Sequence, residues 1–221
     1  MPATEAAMGT PSTGSSGTPG APGGMLTNGW ASATVLGGLT FGIMTMLLGL
    51  FYLPAPYGKG FEADLGLITI AAYAAAGILL LVGLTNLMQG HLFWGTAFTG
   101  FAAFWGTWGY AFHHFAGSFA LTSPVWAYGF AGFLFLWMLV TFTFLLSSIK
   151  HGWGTFFAWL FLFVGIILVM IDAWQTGAAN TISKGEQWAI GGELIFTGLI
   201  WWYGATASLT NHSFGKKFLP T

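Results

Sequence analysis

Two acidic residues, Asp172 and Glu193, lie inside long apolar segments of the sequence, where an ionisable side chain is unusual. A charged group within a membrane is unfavourable unless it is paired or hydrated, so such residues are candidates for function. Either carboxyl group could hold a proton and carry it along a pathway. The alternative is that both lie among lipid headgroups, because each is within about two helical turns of the end of its segment.

Histidine could also do chemistry here, but its spacing does not form a metal site. His113 and His114 are adjacent, so on a helix their side chains point about 100° apart and cannot bind one ion as an i, i+4 pair does. They are candidates for pH sensing instead. The sequence contains no cysteine, phosphate-binding glycine loop, GxSxG, HExxH or carboxylate dyad. We therefore expect no enzyme activity, no metal and no cofactor.

The composition indicates a membrane protein. Of the 221 residues, 55% are hydrophobic and only 5% are charged, whereas soluble domains carry about 25% charged residues. The five basic residues are all lysines, and the formal net charge is −1. This charge excludes the basic surface that nucleic-acid binding requires.

Six apolar runs follow one another, each about as long as the 20 residues that cross the hydrocarbon of a bilayer as a helix. They cover residues 31–53, 65–87, 92–112, 125–149, 153–174 and 187–209. Prolines and glycines at 54–60 and the Ser123-Pro124 pair interrupt the helices between runs. The sequence thus predicts an all-α polytopic membrane protein, with six transmembrane helices in a compact bundle.

The two ends of the chain differ from the apolar middle. Residues 1–28 are rich in Gly, Pro, Ser and Thr and contain one charged residue, which predicts a disordered tail. The transmembrane domain follows at 29–210, and a short C-terminal tail occupies 211–221. Six crossings place both termini on one side, with three of the five lysines. This distribution favours cytoplasmic termini in a plasma-membrane protein.

The third predicted helix has two contrasting stripes. Its aromatic stripe contains Trp94, Phe98, Phe101, Trp105, Trp108 and Phe112 at spacings of three and four residues, and its small-residue stripe contains Thr96, Gly100, Ala103 and Thr107. One interpretation is that the aromatic stripe faces lipid while the small stripe packs closely on another helix. The other is that aromatic residues narrow a pathway into a hydrophobic constriction.

The apolar segments contain no lysine or arginine that could serve as a permanent countercharge for an anion. A solute would instead meet hydroxyl groups, backbone groups and aromatic edges, or would cross as its neutral acid. Candidate pathway hydroxyls include Thr45, Thr96, Thr99 and Tyr203.

Two strings resemble a known family. GTAFTGFAAFW at 95–105 is similar to the TAF[ST]SYGxFW stretch of the acetate uptake transporters, which include bacterial succinate–acetate permease and the yeast acetate and ammonia-export proteins. NHSFGKKFLP at 211–220 resembles the N-x-x-FG-x-x-LP ending of that family. The resemblance implies a six-helix protomer, assembly as a homo-hexamer in the lipid bilayer, and a pathway in each protomer for acetate and related monocarboxylates, commonly by proton symport.

The same resemblance assigns a constriction to Phe41, Phe101 and Leu162. At position 101 the family has tyrosine, so the phenylalanine here lacks a hydroxyl group that could bind a carboxylate. The family signature NPAPLGL reads SATVLGG at 32–38. These departures favour an alternative, a channel for neutral solutes such as urea, short amides or ammonia. A third possibility is a membrane subunit that transports nothing and packs on partner proteins.

Overall fold

The computed structural model describes residues 33–53, 61–115, 123–178 and 183–220. The predicted tail at 1–28 lies outside these residues. The described chain contains six long α-helices and no β-strand, so the predicted all-α class is confirmed. The helices are α1 (Ala33–Tyr52), α2 (Phe61–Met88), α3 (Leu92–Phe115), α4 (Pro124–Ser148), α5 (Trp153–Gly177) and α6 (Lys184–Phe214).

Four stretches are long and apolar enough to cross a membrane: Ala33–Tyr52, Gly66–Met88, Pro124–His151 and Trp153–Gly177. The helices α3 and α6 fall below that hydropathy because glycine, tryptophan, histidine and hydroxyl residues are frequent in them. Both are nevertheless long: the 24 residues of α3 rise about 36 Å, against about 30 Å of bilayer hydrocarbon.

Two tight turns reverse the chain at one end of the bundle, which we call the turn end. Gly90 joins α2 to α3 with φ of +79°, and Gly152 follows the 3-10 turn Ile149–His151 with φ of +93°. These backbone conformations favour glycine because a Cβ atom would clash. The His151 ring stacks on Phe93 with centroids 4.2 Å apart, which places both turns at the same end.

The first and last helices pack tightly through glycines. Gly42 faces Gly198, and Gly49 faces Gly191, so closely that a Cβ atom at any of these positions would lie 2.6–2.8 Å from a backbone oxygen of the other helix. The sequence separation of seven residues within each helix keeps both contacts on one face. The helices α1 and α6 are therefore antiparallel neighbours, and the bundle is closed between its first and last members.

The C-terminal residues fold back onto α6. The Asn211 side-chain oxygen accepts hydrogen bonds from the backbone N–H groups of Phe218 (2.7 Å) and Leu219 (2.8 Å). Gly215 ends the helix with φ of +62°. The Tyr203 hydroxyl donates to the Pro220 carbonyl oxygen at 3.0 Å. These bonds explain why asparagine and glycine occur in the terminal string, and α6 itself extends past the predicted end at 209.

The interpretation that the aromatic stripe of α3 faces lipid is wrong. Phe98, Phe101, Trp105 and Trp108 are each at most 3% exposed and lie in the core of the bundle. The small-residue stripe is on the outside instead, where a Cβ atom at Gly100 would meet no other atom within 4 Å. Hydropathy could not assign these faces, because aromatic and small residues are both compatible with a bilayer.

Candidate functional site

Three residues from three helices meet at the centre of the bundle. Phe41 of α1 and Phe101 of α3 contact edge to face, with ring centroids 4.9 Å apart and planes at 83°. Leu162 of α5 lines the same cavity as these two rings. The side chains are only 2%, 2% and 4% exposed, respectively. The structure therefore brings together the three residues that the family resemblance assigned to a constriction.

The cavity at this point is narrow and apolar. Its volume is about 30 Å³, which is room for two or three water molecules, since one requires about 10–15 Å³. A larger molecule fits into this cavity only if side chains move. The lining residues are Phe41, Thr45, Leu48, Phe101, Phe104, Trp105, Trp108, Phe130, Leu134, Leu162, Ile166, Val169 and Leu194.

The cavity extends from the constriction away from the turn end. The helix α1 begins at the turn end, because the Thr34 hydroxyl donates to Asn86 near the end of α2 at 2.9 Å. Cavity residues such as Thr45 and Val169 follow Phe41 and Leu162 in sequence, and so lie farther from the turn end. Phe41, Phe101 and Leu162 thus lie at the end of the cavity that is nearest the turn end.

Two tryptophans cover the turn-end side of the constriction. Trp201 of α6 lies 4.9 Å from Phe41, and Trp159 of α5 lies 5.8 Å from Phe101, measured between ring centroids. The two indoles contact each other at 5.2 Å in a T-shaped arrangement. Trp105 lies on the other side and lines the cavity. Aromatic rings therefore enclose the constriction from both directions.

These three tryptophans have an unusual feature in common. Their side chains are 1–7% exposed, and among the described residues their indole nitrogens have no hydrogen-bond acceptor. An unpaired buried donor destabilises a protein by about 1–3 kcal/mol. The sequence did not identify Trp105 and Trp159 as buried hydrogen-bond donors. Their spacing does not distinguish an indole with an unpaired N–H group from one that only packs against its neighbours or lies at the membrane interface.

The predicted pathway hydroxyls are distributed unevenly. Thr45 is buried, lines the cavity and donates to the Phe41 carbonyl oxygen at 2.8 Å. Thr99 packs against Gly83 at the contact of α3 with α2. Thr96 is exposed on the outer face of α3, and Tyr203 is exposed and bonded to the C-terminal residues. The structure therefore places Thr45 beside the constriction and the other three away from the cavity.

Glu193 is half-buried between α6 and α5. One carboxylate oxygen accepts a hydrogen bond from the Thr197 hydroxyl at 2.8 Å. The other is buried, has no hydrogen-bond partner among the described residues, and packs against Gly165. The neighbouring Leu194 lines the cavity, whereas Glu193 does not. Glu193 therefore lies next to the cavity lining but outside it.

Asp172 is also half-buried, near the far end of α5. Its carboxyl group interacts with the Tyr52 side chain, so this pair joins α5 to the end of α1. Asp172 lies one turn beyond Val169, and Tyr52 one turn beyond Leu48, so the pair lies just past the cavity. The described residues contain no group of three histidine or acidic side chains able to hold a metal ion.

Comparisons with known proteins agree with these observations. The sequence profile of the GPR1/FUN34/yaaH family matches residues 18–218. The solved structure of the bacterial acetate channel SatP aligns with a TM-score of 0.72 and 23% sequence identity, covering 86% of this chain and 98% of that one. At this identity the likeness shows a shared fold. A comparison with curated protein sequences gives no match.

Proposed function

Because the chain belongs to the GPR1/FUN34/yaaH family, we propose that it conducts acetate and related short-chain carboxylates across a membrane, through a pathway within each protomer. The observation that carries this proposal is the meeting of Phe41, Phe101 and Leu162 at one narrow cavity between three helices. The shared fold with an acetate channel supports it. All six helices cross the bilayer in this proposal.

The lining suggests how such a solute crosses. Among the described residues, no lysine or histidine lines the cavity, and its surface is almost wholly apolar. An anion in such a place is strongly disfavoured unless it is hydrogen-bonded. A carboxylate would therefore pass with one or two donors at a time, or as the neutral acid. We propose that Glu193 exchanges a proton with the solute, which would couple carboxylate transport to proton movement.

The outer surface fits a role in a membrane assembly. Large apolar side chains are exposed on every helix, which suits contact with lipid. The exposed small-residue stripe of α3 would allow a second protomer to approach closely. We propose a homo-hexamer in the plasma membrane, with both termini in the cytoplasm.

Uptake by proteoliposomes tests the proposal. We expect acetate uptake above that of empty liposomes, rising as external pH falls. Phe101→Ala removes a ring of the constriction and should admit longer carboxylates such as butyrate. The control is Phe135→Ala, whose ring is 47% exposed on α4. Absence of acetate and propionate uptake would refute the function, and unchanged selectivity in Phe101→Ala would refute the constriction.

One observation favours the neutral-solute alternative: at the constriction, Phe101 offers no hydroxyl group. A channel for urea or short amides needs no countercharge. Stopped-flow swelling of the same proteoliposomes in urea and in acetate separates the two functions, because a urea channel would pass the first solute and exclude the second.

A further inference from the structure

We propose that the indole N–H groups of Trp159, Trp201 and Trp105 bind the carboxylate on the two sides of the constriction, in place of a fixed cation. The inference rests on the proposed function, because its ligand is the carboxylate that the pathway conducts. It assigns donors that neither the family resemblance nor the constriction itself supplies.

The positions of these side chains support the assignment. Trp159 and Trp201 contact each other at 5.2 Å, and each contacts one of the two constriction rings on the turn-end side. Trp105 lines the cavity on the opposite side. A carboxylate approaching the Phe41–Phe101 contact from either direction would therefore meet an indole ring before it reached the narrowest point.

The unpaired state of the donors is the second observation. All three indole nitrogens are buried without an acceptor among the described residues. Phenylalanine would supply an aromatic ring without burying an unpaired donor, and this chain has phenylalanine at 22 positions. The presence of indoles at these three buried positions around the constriction is explained if an acceptor binds them transiently. The carboxylate of the proposed solute would be such an acceptor, and its charge makes it a stronger one than a neutral oxygen atom.

Other groups near the constriction do not fill this role. The Thr45 hydroxyl already donates to a backbone carbonyl oxygen. Glu193 is acidic and bonded to Thr197, so in its ionised form it would repel a carboxylate. Uncharged donors also suit conduction, because a solute must leave each site as readily as it enters.

Tryptophan-to-phenylalanine substitutions test the inference because they remove the N–H group while keeping an aromatic ring. Trp159→Phe and Trp201→Phe should each lower acetate permeability about ten-fold, the effect of losing one hydrogen bond to a charged group. Permeability to acetamide, a neutral molecule of the same shape, should fall less, by about two- to five-fold, because an indole N–H makes a weaker hydrogen bond to a neutral carbonyl oxygen than to a carboxylate. The matched control is Trp202→Phe: Trp202 adjoins Trp201 in sequence but is 40% exposed.

An equal loss of acetate and acetamide permeability would indicate a packing role and overturn the inference, as would no loss of either. A second measurement uses the unmodified protein in detergent, so it does not depend on the variants folding. With ¹⁵N-indole labelling, sodium acetate should shift the resonances of Trp159 and Trp201 but leave that of Trp202 unchanged. Acetate uptake without such shifts would overturn the inference alone. Shifts without uptake would overturn the proposed function and keep the binding site.

Discussion

Substituting Gly42 by alanine should separate α1 from α6 and destabilise the protein. A Cβ atom at this position would lie 2.7 Å from the Gly198 carbonyl oxygen and 2.8 Å from the Trp202 backbone nitrogen. That is about 0.7 Å closer than ordinary contact, and both neighbours are backbone atoms of a long helix, which cannot rotate away. The two helices must therefore move apart.

The size of the effect follows from two opposing contributions. Alanine is favoured over glycine in a helix by about 0.8–1.0 kcal/mol, whereas overpacking of this kind costs about 1–3 kcal/mol. Gly204→Ala isolates the first contribution, because a Cβ atom at Gly204 of α6 would meet nothing within 4 Å. The difference between the two variants therefore equals the overpacking penalty, and Gly42→Ala should be about 1–3 kcal/mol less stable than Gly204→Ala.

Unfolding by SDS titration in mixed micelles, followed by circular dichroism, measures this difference. Since Phe41 precedes Gly42, the variant should also alter the contact of Phe41 with Trp201 and change acetate permeability. Equal stability of the two alanine variants would refute the close packing of α1 on α6.

Two further predictions concern acidic residues. The Ser183 backbone N–H and side chain hold the pKa of Glu186 below its ordinary value of 4.5, so the Glu186 contribution to stability is complete above that pH and is lost as the pH falls through the lowered pKa. Melting temperatures between pH 3 and pH 6 should thus decline less for Glu186→Gln than for the unmodified protein, and parallel declines would contradict this. If Glu193 carries the coupled proton, Glu193→Gln should flatten the dependence of acetate uptake on external pH, after subtraction of empty liposomes, while Glu186→Gln, which changes an exposed carboxylate at the start of α6, should leave it unchanged. A pH profile for Glu193→Gln that matches the unmodified protein would remove Glu193 from the mechanism.

Much of the fold was predictable from apolar runs alone. The helices α1 to α6 overlap the six predicted segments, because a run of about 20 apolar residues has few other stable forms in a bilayer. Their lateral arrangement was not predictable. Periodicity shows that α3 has two different faces, but lipid is as apolar as a protein interior and does not indicate which face is inside.

The candidate site was likewise predictable only in part. Phe41, Phe101 and Leu162 were identified through a family resemblance. Successive members are 60 and 61 residues apart, and such long separations give no signal in the sequence that the side chains meet. Tyr203 was a reasonable pathway candidate by polarity, yet its hydroxyl bonds to the C-terminal residues. A polar side chain in an apolar helix needs a partner, but the sequence does not say whether that partner is a solute or the chain's own backbone.

The contact between α1 and α6 joins the helix that is synthesised first to the helix that is synthesised last. During synthesis, the glycine face of α1 has no partner until residues 184–214 have left the ribosome, long after α1 itself is in the bilayer. The wall of the constriction that contains Trp201 is added in this same final step. Phe41 and the central cavity therefore gain their α6 neighbours, Trp201 and Leu194, only after the rest of the bundle has been synthesised.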